Sequence, residues 1–198
     1  MKRSASRAAR GAREPPQQVR IVGGSLKRSM LPVLDRPGLR PTPQRVRETL
    51  FNWLGQELSG WACLDAFAGT GALGFEAASR GAASVVLLER DPDLVAALRA
   101  AQARLQVQTA TVERAESLSW MRSAAGPRFH LVLLDPPFDD PTTLDLALQA
   151  ATHLVVAGGF IYAEAARVLP DCPDGFERWR QARAGAVHFH LLRRKGTG

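Results

Sequence analysis

Two short stretches of this chain place chemically capable residues at spacings that a loop between a strand and a helix can use. The first is Asp65-Ala66-Phe67-Ala68-Gly69-Thr70-Gly71-Ala72-Leu73-Gly74. Gly69 and Gly71 allow backbone angles closed to other residues and let a ligand approach the main chain, while Gly74 allows a helix to pack closely on a strand. Glu89 follows at the end of the next apolar run, where a carboxylate can accept hydrogen bonds from both hydroxyls of a ribose. The same glycines and acid also satisfy the dinucleotide fingerprint, so alone they leave a pyrophosphate cofactor open. Asp65 tilts the reading toward a sulfonium cofactor. An acid at that position can reach the α-amino end of a methionine moiety, whereas it would repel a pyrophosphate. A plainer role is open as well, in which the glycines make a tight turn and Asp65 caps the following helix.

The second stretch is Asp135-Pro136-Pro137-Phe138, directly after the apolar run Phe129 to Leu134. Pro136 has no backbone N–H, and the proline pair holds the segment extended, presenting carbonyls and the Asp135 carboxylate as acceptors. Such acceptors suit an exocyclic amine, whose lone pair is delocalised into its ring and is therefore a poor nucleophile. If Asp135 and the Pro136 carbonyl accept its two N–H bonds, the nitrogen can rehybridise and aim its lone pair at a sulfonium methyl for in-line displacement. Phe138 can stack on the base. The departing proton can go to Asp135 or to water, so no strong general base is required. Asp-Pro-Pro by itself is also an ordinary loop; its pairing with the glycine turn is what gives it a chemical reading.

These loops need strands to hold them, and the chain supplies an alternation. Ala62 to Phe67 reads as a strand, Gly71 to Arg80 as a helix, Ser84 to Glu89 as a strand and Pro92 to Arg104 as a helix. A strand around Gln108 to Val112, a helix around Glu116 to Ser123, a strand at Phe129 to Leu134 and a helix from about Thr142 to His153 continue the series. Strands near Phe160 to Glu164, Phe176 to Arg180 and Ala186 to Leu192 close it, with little helix between the last two, which predicts an antiparallel finish. Repeated strand-helix-strand units demand a mostly parallel sheet with helices on both faces. Ligands then bind beyond the carboxyl ends of the strands, where both loops lie.

Upstream, Val19 to Val33 reads as a small β-hairpin with a turn at Gly23-Gly24, followed by a loop through Pro32, Pro37, Gly38 and Pro41. Thr42 before Pro43 reads as an N-cap with proline at the first helical position, and the helix is expected to reach about Leu58. Val46, Leu50, Trp53 and Leu54 share its core face, leaving Arg45, Glu48 and Asn52 on another. The division is therefore a disordered basic tail at 1–18, a hairpin and helix at 19–58, and a catalytic domain at 59–198.

At 198 residues and 45% hydrophobic content the chain holds one well-buried domain with a small appendage. Apolar runs are short, so no membrane span is expected. The basic first residues run into Pro15, Pro16, Gln17 and Gln18 where a secretory signal needs an apolar stretch. Only Cys63 and Cys172 are present, which gives no disulfide framework and fits a reducing cytoplasm. The histidines lack metal-ligand spacing, so no metal is expected. The net charge is +7, but residues 1–47 carry twelve Lys or Arg against Glu14 and Asp35, which is +10, leaving −3 on the remainder. A basic arm on a mildly acidic body suits a polyanionic partner. Arg40, Thr42, Arg45 and Arg47, at the start of the first helix, suit phosphates, although Arg45 and Glu48 pairing on a solvated face is equally open.

Three stretches carry a resemblance to a known family. Arg20-Ile-Val-Gly-Gly with Leu39-Arg-Pro-Thr-Pro-Gln-Arg-Val-Arg-Glu-Thr-Leu-Phe-Asn-Trp-Leu is the most specific; Asp65 to Gly74 and Asp135 to Phe138 are shared with many amino-methyltransferases. From about Val19 to Arg194 the chain resembles the RsmD-type small-subunit (16S) ribosomal RNA guanine-N2 methyltransferases. The resemblance implies a Rossmann-like class I fold with a seven-stranded sheet, S-adenosyl-L-methionine as donor, and a guanine of 16S ribosomal RNA on assembled or assembling small subunits as acceptor. By position it assigns Asp65, Phe67, Gly69, Gly71, Glu89 and Arg90 to the cofactor, and Asp135, Pro136, Pro137 and Phe138 to the base. Two departures stand out. Arg114 occupies a position where the family often has a polar residue such as Asn near the adenine, with Glu113 and Ala115 beside it, and the closing strand His188-Phe189-His190-Leu191-Leu192 is poor in tyrosine. A DNA amine or protein glutamine as target, and an inactive RNA-binding module, are the alternatives; nothing requires more than a monomer. Deleting residues 1–18 is expected to weaken RNA binding and flatten its dependence on salt, measured as binding against salt concentration; an identical slope would make the tail a bystander.

Overall fold

The computed structural model describes residues 18–36, 39–137 and 141–196. Phe138, the loop residues Pro37 and Gly38, and the basic tail short of Gln18 lie outside them. Strands β1 (Gln18–Arg20) and β2 (Met30–Pro32) pair antiparallel, and helix α1 (Gln44–Trp53) follows. The alternation then runs β3 (Ala62–Asp65), α2 (Ala72–Ser79), β4 (Ser84–Glu89), α3 (Pro92–Leu105), β5 (Ala110–Arg114), α4 (Ser117–Ser123), β6 (Phe129–Leu134), α5 (Pro141–Thr152), β7 (Val155–Ala165), β8 (Phe176–Ala184) and β9 (Val187–Arg194). The last seven strands form one sheet in the order β5-β4-β3-β6-β7-β9-β8. The first five in that order are parallel, and β9 and β8 add antiparallel. This is the α/β sheet with an antiparallel finish that the alternation predicted.

Side-chain alternation along the strands divides the core. Cys63, Leu131, Leu133, Tyr162, Phe189 and Leu191 pack with α1, α2 and α3 on one face. Leu64, Val132, Leu134, Ile161, Ala163 and Leu192 pack with α4 and α5 on the other. The hairpin has no separate core, because Val19, Ile21 and Leu31 join the first cluster together with Val46, Leu50 and Phe51 of α1. Each such buried aliphatic side chain contributes about 1.5–3 kcal/mol. Among the described residues no helix is long and apolar enough to cross a membrane.

The largest local departures from the sequence reading concern α1. Pro43, not Thr42, occupies the N-cap, and no side chain caps the helix. The helix stops at Trp53 instead of near Leu58, because Gly55 and Gln56 take left-handed backbone angles, at φ 87° and 69°, and turn the chain. Gln18, read as tail, opens β1. Strands β7 and β8 are longer than their apolar runs indicated, since β7 starts at Val155 and β8 continues through Arg183 to Ala184 at the sheet edge.

The hairpin and α1 are fixed to α2 by a buried charge cluster. Glu76 is fully buried, and its carboxylate accepts from Arg47 Nη1 at 3.2 Å and from Arg80 Nε at 3.0 Å. The backbone N–H groups of Val22 and Gly23 complete its set at 2.9 and 2.8 Å. Arg80 also lies over the Phe51 ring at 4.6 Å. Gly23 and Gly24 are thus more than a turn: a Cβ on Gly24 would stand 1.8 Å from the Ser79 carbonyl, and one on Gly23 would meet the Arg80 guanidinium. Arg47, expected on an RNA-facing surface, is only 2% exposed. Its guanidinium turns inward because a buried carboxylate and two carbonyls await it there, the carbonyls being those of Thr42 and Arg20 at 3.2 and 2.9 Å. Burial holds its pKa below the ordinary arginine value.

Replacing Glu76 with Ala leaves two buried guanidinium groups without their anion, so unfolding in urea should show a loss of about 3–5 kcal/mol. A loss within that of an ordinary surface substitution would mean that the cluster does not hold the hairpin to the sheet.

Candidate active site at the carboxyl ends of the central strands

Neighbouring parallel strands β3 and β6 deliver their loops to the same edge of the sheet, so the glycine turn and the Asp-Pro-Pro segment meet in one crevice. The turn is built as its glycines allow. Gly69 and Gly71 have φ of 51° and 77°, and the Gly71 N–H returns to the Ala68 carbonyl at 2.6 Å. Gly71 caps α2 in this left-handed conformation. Gly74 permits close packing as its position implied, since a Cβ there would sit 2.8 Å from Leu87.

The carboxylates around the turn are already hydrogen-bonded. Asp65 is 1% exposed, and its Oδ2 accepts from the Gly74 N–H at 2.8 Å. Of the two roles open to it, the capping bond is the one present in the geometry. Burial pushes its carboxyl up to about 7, the Glu89 charge adds to this, and the N–H groups of Gly74 and Phe67 oppose it. Glu89 lies at the end of β4, where Oε2 accepts from Gly69 N–H at 3.0 Å and Oε1 from Arg90 and Asp91 N–H at 2.8 and 2.9 Å. A carboxylate has about four lone-pair sites, so acceptor capacity is left for ribose hydroxyls. Phe67 is half-buried and Arg90 is exposed at the same rim. Leu39, on the chain between β2 and α1, lies over Gly69, and Arg36 pairs with Asp91 and Asp93 at the start of α3. At the end of β5, Arg114 is exposed, and Glu113 accepts the Trp120 indole N–H at 2.8 Å.

Asp135 follows β6 at the bottom of the crevice, half-buried, with Pro136 buried and Pro137 exposed beside it. The Thr42 hydroxyl donates to its Oδ2 at 3.1 Å. Thr42, read as part of a phosphate-binding set, thus turns its hydroxyl inward to the Asp135 carboxylate instead of outward to solvent. It is 5% exposed and does not reach the surface. Burial first, then the Glu164 charge, raises the Asp135 carboxyl well above the usual carboxylate range, with Asp65 adding and Thr42 opposing. Arg40 and Arg45 are exposed as expected. Glu48 is bonded by Gln44 Nε2 at 2.8 Å, and Arg45 makes no ion pair among the described residues.

The sequence reading passed over Glu76, Arg80, Tyr162 and Glu164. Each carried a signal in its context. Glu76 interrupts the apolar run Ala72 to Ala78, and Glu164 ends the apolar run that contains the chain's single tyrosine. An acid inside a stretch bound for the core must find partners.

A family model described as Conserved hypothetical protein 95 matches residues 19–193. A protein of Escherichia coli K12 named ribosomal RNA small subunit methyltransferase D is 38% identical over 184 residues, covering 91% of this chain and 92% of its own length. A Haemophilus influenzae protein of the same name is 38% identical over 186 residues, covering 88% and 93%. The solved structure of an Escherichia coli methyltransferase matches with a TM-score of 0.81 at 37% identity, covering 91% of this chain and 100% of that one.

The buried Asp65 generates a pH signature. Its pKa of about 7 in the folded protein exceeds the unfolded value of about 3.9. The stability it contributes is therefore complete below about pH 4 and is lost as pH rises through about 7. Urea unfolding from pH 4 to 8 should show the native protein losing ground against Asp65→Asn across that window; parallel curves would remove Asp65 as the cause.

Proposed function

Since the chain belongs to the RsmD-type family of small-subunit ribosomal RNA methyltransferases, we propose that it methylates the exocyclic N2 of one guanine in 16S ribosomal RNA, on assembled or assembling small subunits, with S-adenosyl-L-methionine as donor. The observation that carries this reading is the placement of Asp135 and Pro136 at the end of β6, next to the glycine turn at the end of β3.

The residues present fit the donor. Positive-φ Gly69 and Gly71 leave the backbone of the turn open to a ligand, and Glu89 closes the neighbouring strand with acceptor capacity for a ribose. Asp65 supports the turn through the Gly74 N–H, and a methionine ammonium beside it would favour its charged form; Phe67 and the exposed Arg90 lie on the loops that follow β3 and β4. When bound, the cofactor supplies a methyl group on a sulfonium, activated for displacement.

The remaining chemistry belongs to this chain. An amine conjugated with a purine ring needs its hydrogens held before its lone pair can point outward. Asp135 and the Pro136 carbonyl accept those two hydrogens and orient the nitrogen for in-line attack. Thr42 restrains the Asp135 carboxylate so that its direction is set before the base arrives. Phe138 follows in sequence, where stacking would fix the plane of the base. Once methylated the nitrogen is cationic and acidic, and its proton passes to Asp135 or to water.

The RNA side of this reading rests on the hairpin and α1. Arg20, Lys27 and Arg28 line an open groove of about 210 Å³ with Gln44 and Glu48. None of these three cations has an ion pair among the described residues. With exposed Arg40 and Arg45 they form a surface suited to phosphates.

The test is methyl transfer from labelled S-adenosyl-L-methionine to small subunits lacking the modification, beside naked 16S RNA, duplex DNA and protein, with digestion to nucleosides. The expected product is N2-methylguanosine from the subunit or its RNA; preferential label in DNA or protein, or a different nucleoside, would overturn the target. Asp135→Ala should keep cofactor affinity by calorimetry and lose roughly 100-fold or more in turnover. Unchanged turnover would remove Asp135 from the mechanism.

A further inference from the structure

Positive charge is concentrated at a second place, far along the chain from the basic arm. Residues 176–195, which make the β8–β9 hairpin and the residue after it, carry six Lys or Arg against the single acid Glu177. Residues 48–175 carry eight against sixteen acids. The mildly acidic body is therefore a strongly acidic stretch closed by a basic one. Arg178, Arg180, Arg183 and Lys195 are exposed, and Arg193 and Arg194 are half-buried. None of the six has an ion pair among the described residues.

Strand β8 ends the sheet order, so one of its edges pairs with β9 and the other has no strand beside it among the described residues. Its register with β9 shifts between Arg178 and Arg180. Successive side chains of a strand point to opposite faces, but the extra residue here brings Trp179 and Arg180 to the same one. Trp179 packs against the first core cluster, and Arg180 pairs with Leu191 of that cluster. The Arg180 guanidinium lies over the Trp179 ring at 4.8 Å, and Arg193 of β9 lies over the same ring at 4.8 Å. Main-chain carbonyls hold the others. Arg178 donates to those of Leu169 and Pro170, Arg183 Nε to that of Gly185 at 2.8 Å, and Arg180 Nη1 to that of Trp179 at 2.8 Å. These bonds orient the guanidinium planes without neutralising them. Because β7 is parallel to β6 while β9 runs against both β7 and β8, the turn at Gly185 emerges at the crevice end of the sheet. Arg183 stands near that end, with Arg180 roughly 10 Å further along the strand.

Charge on an edge strand guards it against joining another strand. Either sign serves that purpose, so six cations against one acid ask for a further reason. A guanidinium held in place by a carbonyl or an indole keeps other N–H donors for a phosphate. We infer that the β8–β9 hairpin is a second RNA-contacting surface, on which Arg183, Arg180 and Arg178 meet phosphates of the RNA whose base enters the crevice. This rests on the reading of the substrate as ribosomal RNA. In the sheet order β8 stands three strands from β6, roughly 14 Å away, so one RNA can touch both. Trp179 is the positioning residue of this surface, fixing Arg180 and Arg193 in direction. The acidic stretch between the two basic regions repels the backbone, which confines the RNA to the arm and groove on one side and the edge strand on the other.

The test is binding of the full chain to naked 16S RNA across a range of salt concentrations, for the native protein and the double variant Arg180→Gln with Arg183→Gln. Losing two phosphate contacts should flatten the slope of log affinity against log salt by about 1.5 and weaken binding roughly tenfold or more at low salt. Native slope and affinity in this variant would overturn the proposal. Arg180→Lys with Arg183→Lys keeps both charges and should return the slope to its native value, which separates phosphate contact from a disturbed hairpin; a slope that stays flat there would overturn it too. Weaker binding to assembled subunits with naked RNA unaffected would assign the edge strand to a ribosomal protein and overturn the RNA contact. The transfer assay reads the underlying function separately. N2-methylguanosine together with native binding in the Gln variant strikes this surface alone, whereas label in DNA or protein strikes the target itself.

Discussion

The buried carboxylate of Glu76 is the interaction on which the rest of the site depends. Ionised side chains taken out of water cost several kcal/mol each unless every hydrogen-bonding position is filled. Glu76 meets this condition by accepting from two guanidinium groups and two backbone N–H groups drawn from the hairpin, α1 and α2. One of those guanidinium groups, Arg47, passes the constraint on by bonding the Thr42 carbonyl. Thr42 then bonds Asp135. A continuous series of polar contacts thus runs from the second helix of the chain to the end of the sixth strand. Thr42, just ahead of the first helix, thus ties the hairpin and that helix to the Asp-Pro-Pro segment.

This arrangement explains the order of burial in the amino-terminal segment. Cations that serve the interior, Arg47 and Arg80, have fixed anionic and carbonyl partners. Cations toward the groove, Arg20, Lys27 and Arg28, are exposed and have no ion pair among the described residues. Positive charge fastened in the interior and positive charge left exposed are therefore interleaved within a few residues of one another. Composition sees only their sum.

The sheet was legible in the sequence because strand-helix alternation and loop glycines are local signals. Ser84 to Glu89 and Phe129 to Leu134 have the bounds that their apolar runs indicated. The glycine turn and Asp135 were legible for the same reason, since each is a contiguous motif at a strand end. What local reading missed depends on contacts across long separations. Arg47 and Glu76 are 29 residues apart, and Thr42 and Asp135 are 93 apart. Thr42 has the sequence context of a helix cap, and nothing near it reveals that a distant carboxylate will claim its hydroxyl. Glu164 reads as the polar end of a strand until the register with β6 places it beside Asp135.

The central claim is that Asp135 and the Pro136 carbonyl hold a guanine amine against the methyl donor. Its most direct test is a structure of the complex with S-adenosylhomocysteine and an RNA fragment carrying the target guanine. The account predicts the guanine N2 within hydrogen-bond distance of both acceptors, facing the cofactor sulfur from the far side of the transferred methyl position. A base bound with its N2 away from Asp135, or held by a different edge, would contradict it.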